Sequence, residues 1–176
     1  DLDKLKRFGD EGVLLLLSDS TGAEEEGHSI SESAIQKNLE YLFENAHGRV
    51  IAATFSSLIM RVQQIIAISK KYKRKVIIEG FSMKSNIEIA RRLGHIKFED
   101  SDVIPVTDAD KYPDQNITLI CTGAQGEERA ALMRIANREH RYINIKPTDT
   151  VIFSSSVIPG NERSVQSLKD TIYRQG

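Results

Sequence analysis

The feature that most constrains the fold is a regular alternation of short apolar runs with longer segments of helical period. The runs are rich in Val, Ile and Leu and mostly apolar throughout, which is typical of strands buried on both faces of a parallel sheet. Strands that alternate with helices form such sheets through crossover connections. We therefore predict five strands: Val13 to Leu17, Val50 to Thr54, Lys75 to Glu79, Ile117 to Thr122 and Thr150 to Ser154.

Apolar residues recur every three or four positions between these runs, which is the period of an amphipathic helix. The spacing predicts helices over Ser31 to Glu44, Ser57 to Lys70, Lys84 to Leu93, Glu127 to Glu139, and from Asn161 through Ile172. Residues 95–116 mix acids with two prolines, so we predict a long connection with a short strand around Val103 to Val106. The fold class that follows is α/β: an open, mostly parallel five-stranded sheet with helices on both faces.

Length and composition fit one globular domain over residues 1–176, with 40% hydrophobic and 28% charged residues. The formal net charge of −1 gives no global attraction to nucleic acid or to an anionic membrane. No apolar run approaches the roughly 20 residues of a membrane span. The single cysteine, Cys121, excludes an intrachain disulfide and predicts a reducing, cytoplasmic location.

Small polar residues follow every predicted strand. The five segments are Ser18-Asp19-Ser20-Thr21, Phe55-Ser56-Ser57, Gly80-Phe81-Ser82, Thr122-Gly123-Ala124-Gln125-Gly126 and Ser154-Ser155-Ser156. In an open α/β sheet, ligands bind beyond the carboxyl ends of the strands, and hydroxyls with unpaired backbone N–H groups suit a phosphate or another anion. Helix capping is the favoured explanation of any single one of these segments, and only the five together favour a ligand site.

Several common sites are excluded. The segment from Gly123 to Glu127 follows a strand, yet the sequence has no GxGxxG fingerprint and no glycine-lysine-serine phosphate loop, which disfavours a dinucleotide or nucleotide triphosphate enzyme. The four histidines lack metal-binding spacing, so we predict no metal site in this chain and interpret each as a surface or helix-end residue. The basic stretch from Lys70 to Lys75 is interpreted as a solvated helix end.

Six segments, in order, carry a family resemblance: "GVLLLLSDST", "GRVIAATFSS", "RVQQ", "GFSM", "TGAQGE" and "DTVIFSSSVIPGNE". Together they closely resemble the β-CASP domain of ribonuclease J, over roughly Gly12 to Val165. The resemblance implies a domain inserted within a metallo-β-lactamase fold, which holds the zinc of the whole enzyme. RNA then passes through the cleft between the two domains, where it is cut to leave a 5′-phosphate and can be shortened from that end.

The resemblance also assigns residues. Asp19 matches the family's first β-CASP motif, an acid that faces the metal centre and orients a histidine acting as general acid; that histidine lies outside this sequence. Ser20, Thr21 and Ser57 match positions near the RNA phosphate. Ser155, Ser156 and Asn161 match a stretch lining the same cleft, with a structural role as an equal alternative. The chain alone is expected to be inactive, within a parent that is a zinc-dependent exo- or endoribonuclease.

Two departures from the family pattern leave an alternative open. Met60 stands where the family commonly has histidine, and Phe81 stands where it commonly has arginine. A divergent, non-catalytic α/β module that binds RNA or protein is therefore the competing hypothesis. A small-molecule enzyme of the Rossmann type is disfavoured because the cofactor fingerprints are missing.

Overall fold

Four short apolar strands form one all-parallel sheet in the computed structural model, which describes residues 2–20, 23–24, 26–27 and 30–175. The strands are β1 (Val50–Ala53), β2 (Lys75–Glu79), β3 (Ile117–Cys121) and β4 (Thr150–Phe153). Their spatial order is β2-β3-β1-β4, and Val50 is in register with Thr118 on one side and Thr150 on the other. The parallel α/β prediction is confirmed for these four strands.

The structure divides the chain into two compact units, Asp1–Ser31 and Glu32–Gly176. In the first unit, helix α1 (Leu2–Glu11) has no buried residue. Residues 13–17, predicted as a strand, have no regular secondary structure, and their side chains are 60% to 105% exposed. The described residues therefore contain four strands rather than the five predicted. A strand made of consecutive apolar residues is stable only when both of its faces are buried. The described part of the first unit contains no other strand with which residues 13–17 could pair.

Helices cover both faces of the sheet in the second unit. Helices α2 (Glu32–Glu44), α3 (Ile59–Lys71) and α4 (Phe81–Arg92) pack on the face that carries Val50 and Ala52. Helices α5 (Ala131–Ala136) and α6 (Glu162–Tyr173) pack on the face that carries Ile51 and Ala53. Successive strand residues point to opposite faces, so two apolar cores form, as the fold class predicts.

Helix boundaries differ from the predicted ones at α4 and α5. Helix α4 begins at Phe81, three residues before Lys84, directly after Gly80. Helix α5 spans only Ala131–Ala136, because residues 127–130 form a turn and Arg138 takes a left-handed φ of 60°. The backbone N–H of Leu132 donates to the Thr122 carbonyl at 2.9 Å, which ties the start of α5 to the end of β3.

The connection from α4 to β3 contains three short 3-10 helices, over Asp100–Asp102, Val106–Lys111 and Asp114–Asn116. The predicted strand around Val103 is a single parallel bridge to Val76. Pro105 has no N–H to extend a ladder, and it instead precedes the second 3-10 helix. None of the helices described in the structure is long and apolar enough to cross a membrane.

Two buried arginines fasten the amino edge of the sheet, the edge at which all four strands begin. Arg49 donates to both carboxylate oxygens of the buried Asp149, at 2.9 and 2.6 Å, so the starts of β1 and β4 are joined. Arg74 donates to the carbonyls of Ala46, Gly48 and Ile117 at 2.8 to 3.1 Å. The basic stretch at the end of α3 is thus partly structural, and the opposite, carboxyl edge is left to carry the polar residues.

Candidate functional site

A cleft of about 430 Å³ lies at the carboxyl edge of the sheet. Its lining comes from the segments that follow three strands, namely residues 54–56 after β1, residues 80–82 after β2 and Thr122 after β3. Glu127, residues 129–131 and Arg134 complete it. We call this site the carboxyl-edge cleft. Its volume lies within the roughly 300–1,000 Å³ of small-ligand sites, and its position agrees with the rule for open α/β sheets.

Charge in the carboxyl-edge cleft comes mainly from two arginines. Arg129 and Arg134 are exposed, and neither guanidinium forms an ion pair with any carboxylate in the described part of the chain. Glu127 also lines the cleft, and its carboxylate accepts the backbone N–H of Gln125 at 3.0 Å. The cleft thus has two cationic side chains and one carboxylate, and that carboxylate already accepts a hydrogen bond. The resulting positive potential favours an anionic ligand.

The wall around α4 is held by short-range contacts. The side-chain amide of Asn86 donates to the Ser56 carbonyl and hydroxyl, both at 3.1 Å, which joins α4 to the segment after β1. Gly80 has a φ of 104°, and a Cβ at this position would lie 2.6 Å from the Thr122 hydroxyl. Only glycine allows this close approach of two strand ends, so the backbone that leads into Phe81 is tightly positioned.

Gln125 organises a second polar cluster beside the carboxyl edge. Its buried side-chain amide donates to the Ser156 carbonyl at 2.8 Å and to the Ser155 hydroxyl at 3.3 Å. Its carbonyl oxygen accepts the backbone N–H of Ile158 at 2.8 Å and the amide of Asn161 at 3.4 Å. A buried amide with both ends satisfied fixes the conformation of the loop that it contacts. Gln125 therefore sets the shape of the loop between β4 and α6.

The site residues predicted from the sequence fall into three groups. Ser155, Ser156 and Asn161 are brought together around Gln125. Ser57 lies exposed in the turn before α3, next to the segment that lines the carboxyl-edge cleft. Asp19 and Ser20 are exposed residues of the first unit, and Thr21 lies outside the described residues.

Arg61 is a buried contributor that the sequence analysis missed. Its guanidinium donates to the Ser154 hydroxyl at 2.7 Å and carbonyl at 3.1 Å, and to both carboxylate oxygens of Glu32 at 2.9 and 3.0 Å. The Thr54 hydroxyl donates to the same Ser154 carbonyl at 3.0 Å. The end of β4 is thereby joined to α3, α2 and the end of β1. The signal available in the sequence was an arginine directly beside the apolar stripe of α3.

The side chains of His140 and Cys121 are both buried in the interior of the fold. His140 follows the end of α5, but it is 7% exposed, so its interpretation as a surface residue is wrong. Its Nδ1 accepts the backbone N–H groups of Tyr142 and Ile143 at 3.3 and 3.1 Å. Its Nε2 lies 3.6 Å from a carboxylate oxygen of Glu79. Burial raises the pKa of the Cys121 thiol to about 12, assisted by Glu79, so it stays protonated and unreactive. Within the described ranges, no three His, Cys, Asp or Glu residues cluster as metal ligands.

Comparison with known proteins gives consistent matches. Residues 47–172 match the family model "Ribonuclease J, beta-CASP domain". The chain is 46% identical to Ribonuclease J of Helicobacter pylori strain 26695 over 99% of this chain and 25% of that protein. It is 45% identical to Ribonuclease J of Mycolicibacterium smegmatis and 39% identical to Ribonuclease J2 of Bacillus subtilis, each over 100% of this chain and 32% of the relative. The chain thus spans about a quarter to a third of these relatives.

The contacts of Gln125 predict a specific stability effect. Gln125→Ala leaves the Ile158 N–H and the Ser156 carbonyl without their buried partner, so we expect the free energy of unfolding to fall by about 1–3 kcal/mol. Urea titration followed by circular dichroism measures this change, and hydrogen exchange at Ile158 should accelerate. The control is Gln166→Ala, which removes one exposed hydrogen bond to Asp170 and should have little effect. Equal effects of the two substitutions would contradict the role given to Gln125.

Proposed function

Because this chain belongs to the β-CASP domain family of ribonuclease J, we propose that it supplies the RNA-binding half of the active-site cleft of a metal-dependent RNA hydrolase. The observation that carries the proposal is the carboxyl-edge cleft, where Arg129 and Arg134 lie among hydroxyl and backbone groups. Guanidinium groups bind phosphate oxygens by charge-assisted hydrogen bonds, and single-stranded nucleic acid follows positively charged grooves.

We further propose that the parent contains a metallo-β-lactamase domain, which holds zinc and completes the active site. The relatives are three to four times longer than this chain, which leaves room in them for such a domain. In the described part of the chain, His47, His95 and His140 are not grouped with other metal ligands, which is in line with zinc bound by the other domain. Metal would lower the pKa of a bound water toward neutrality, which a single carboxylate cannot do. A cytoplasmic location stays a prediction.

Asp19 is proposed as the accessory acid. It follows the apolar run of residues 13–17, and its side chain is exposed. A carboxylate that accepts a hydrogen bond from a histidine fixes the orientation and tautomer of the imidazole. Asp19 would act in this way on a histidine of the partner domain, so it is a positioning residue for proton transfer.

The hydroxyl and amide groups around the strand ends are proposed to bind RNA phosphates. Ser20, Thr21 and Ser57 would contact the phosphate directly, as the family resemblance implies. For Ser155 and Asn161, the contacts with Gln125 equally support a role in shaping the loop. The hydroxyl of Ser156 is not used by Gln125, which contacts the Ser156 carbonyl instead, so this side chain is better suited to reach RNA.

A non-catalytic binding module is the second candidate. Met60 is 67% exposed and Phe81 is 92% exposed. Both stand where the family resemblance implies a polar residue. An apolar side chain in place of a cation or a histidine removes a possible phosphate contact, and aromatic residues and methionine are common in protein interfaces. The two candidates differ in whether the parent protein hydrolyses RNA in an Asp19-dependent way.

We also propose that residues 1–176 form one domain whose sheet gains residues 13–17 as a fifth strand in the whole protein. Four consecutive leucines in water are unfavourable, and strand pairing would satisfy their backbone groups while removing the side chains from solvent. We expect slow hydrogen exchange at the amides of residues 13–17 in the whole protein, with the exposed helix α1 as the fast-exchanging reference. Fast exchange in both segments would contradict the fifth strand.

The role of Asp19 predicts a rate effect in the parent enzyme. Asp19→Asn should lower kcat for RNA cleavage about 10- to 100-fold, because the general acid loses its orienting partner. Asp19→Glu should recover part of the rate, and the limb of the pH–rate profile that reports the general acid should shift in Asp19→Asn. Asp10→Asn, on the exposed helix α1, is the matched control and should be unaffected. Unchanged cleavage by Asp19→Asn would remove Asp19 from the mechanism.

Specific cleavage of RNA by the 176-residue chain alone, supplied with zinc or manganese, would contradict the need for a second domain.

The role of Ser57 predicts a dependence on the RNA 5′ end. In the parent protein, RNA with a 5′-monophosphate should bind more tightly than the same RNA with a 5′-hydroxyl, and Ser57→Ala should reduce this preference about tenfold. Fluorescence anisotropy at two salt concentrations measures both affinities. Ser167→Ala, on the exposed side of α6, is the control. A preference that survives unchanged in Ser57→Ala would exclude Ser57 from the phosphate site.

A further inference from the structure

Phe81 has a large aromatic side chain that does not pack in either apolar core. It is the first residue of α4 and is 92% exposed, whereas Met83, Ile87 and Ala90 form the buried stripe of the same helix. Single exposed apolar residues are common and carry no functional meaning alone. What distinguishes Phe81 is its place in the wall of the carboxyl-edge cleft, together with Arg129 and Arg134.

The ring is attached to a firmly positioned backbone. Gly80, directly before it, packs so closely on Thr122 that no side chain fits there, and Asn86, further along α4, is hydrogen-bonded to Ser56. A ligand that contacts Phe81 therefore meets a pre-formed surface and loses little free energy in ordering the backbone. The ring itself loses only two torsional freedoms on binding.

The combination of groups selects a class of ligand. An exposed aromatic face attracts a planar ring, and two cations without carboxylate partners in the described structure attract phosphates. The side chains of Ser56 and Ser82 add polar groups to the rest of the lining, which makes it unsuitable for a purely apolar ligand. A nucleotide has both a planar base and a phosphate, and a cleft of about 430 Å³ lies within the size range for such a ligand.

We propose that Phe81 stacks on one nucleobase of single-stranded RNA in the carboxyl-edge cleft, while Arg129 and Arg134 bind neighbouring phosphates. This inference rests on the proposed RNA-binding function and adds to it a stacking contact that tolerates any base, because every base has a π-face. It also favours single strands, because the bases of a duplex are already stacked on each other.

The experiment uses the parent protein and a 5′-monophosphorylated single-stranded RNA of ten nucleotides, with affinity measured by fluorescence anisotropy at two salt concentrations. Phe81→Leu keeps an apolar side chain and removes the π-face, so we expect binding to weaken about 5- to 150-fold with little change in salt dependence. Phe81→Trp should bind at least as tightly as the wild type.

Arg134→Gln should reduce the slope of log affinity against log salt by about 0.7. Tyr173→Leu, which removes an exposed aromatic ring at the end of α6, is the matched control and should bind normally.

The possible results distinguish a failure of the stacking contact from a failure of the proposed RNA binding. Loss of affinity in Phe81→Leu but not in Phe81→Trp or Tyr173→Leu supports stacking. Normal binding by Phe81→Leu, with weaker binding by Arg134→Gln, overturns stacking while the RNA-binding function stands, and leaves the ring to a protein contact. Equal losses in Phe81→Leu and Phe81→Trp also overturn stacking, because packing of the phenyl ring alone would then explain them. Absence of RNA binding by the wild-type protein refutes the proposed function itself.

Discussion

The buried arginines at the amino edge of the sheet are the constraint on which the site depends. Arg49 joins the starts of β1 and β4 through Asp149, and Arg74 binds three carbonyls around the starts of β1 and β3. Removing one partner of a buried pair costs about 3–5 kcal/mol, because the other charge stays buried without compensation. These contacts fix the strand register at one edge. The opposite edge is left to the loops, and the segments that follow β1, β2 and β3 line the carboxyl-edge cleft there.

The sequence predicted the second unit well because its signals are local. Lys75 to Glu79 was predicted as a strand and is one, and the period of α2, α3 and α6 gave their positions within two residues. The failures arise where a distant partner decides the conformation. Apolar periodicity alone could not show that Arg138 turns into the left-handed region and ends α5, or that Val103 makes only one bridge. Residues 13–17 have a strand-like sequence, but a strand also requires a neighbour.

The candidate site shows the same contrast between features that local sequence signals predict and features that distant partners decide. The sequence placed small polar residues at the strand ends, and the structure brings those after β1, β2 and β3 into one cleft. It did not reveal Gln125, Arg61 or His140, because polar residues are expected at the surface and these three are buried. Each is buried with hydrogen-bond partners from segments that are distant in the sequence, or from a loop whose path could not be foreseen. Such partners are visible only after the chain is folded.

Phe81 connects the departure from the family pattern with the chemistry of the cleft. An arginine at this position would add a third cation to the lining, whereas phenylalanine adds a surface for a base. The charge needed to attract a phosphate is still present, because Arg129 and Arg134 come from a different segment, between β3 and the middle of α5. Stacking in a cleft is insensitive to salt, and phosphate contacts are not. If the cleft binds RNA as proposed, phenylalanine at position 81 changes the kind of contact made with the RNA more than the ability to bind it. This weakens the case for a module that has lost the site.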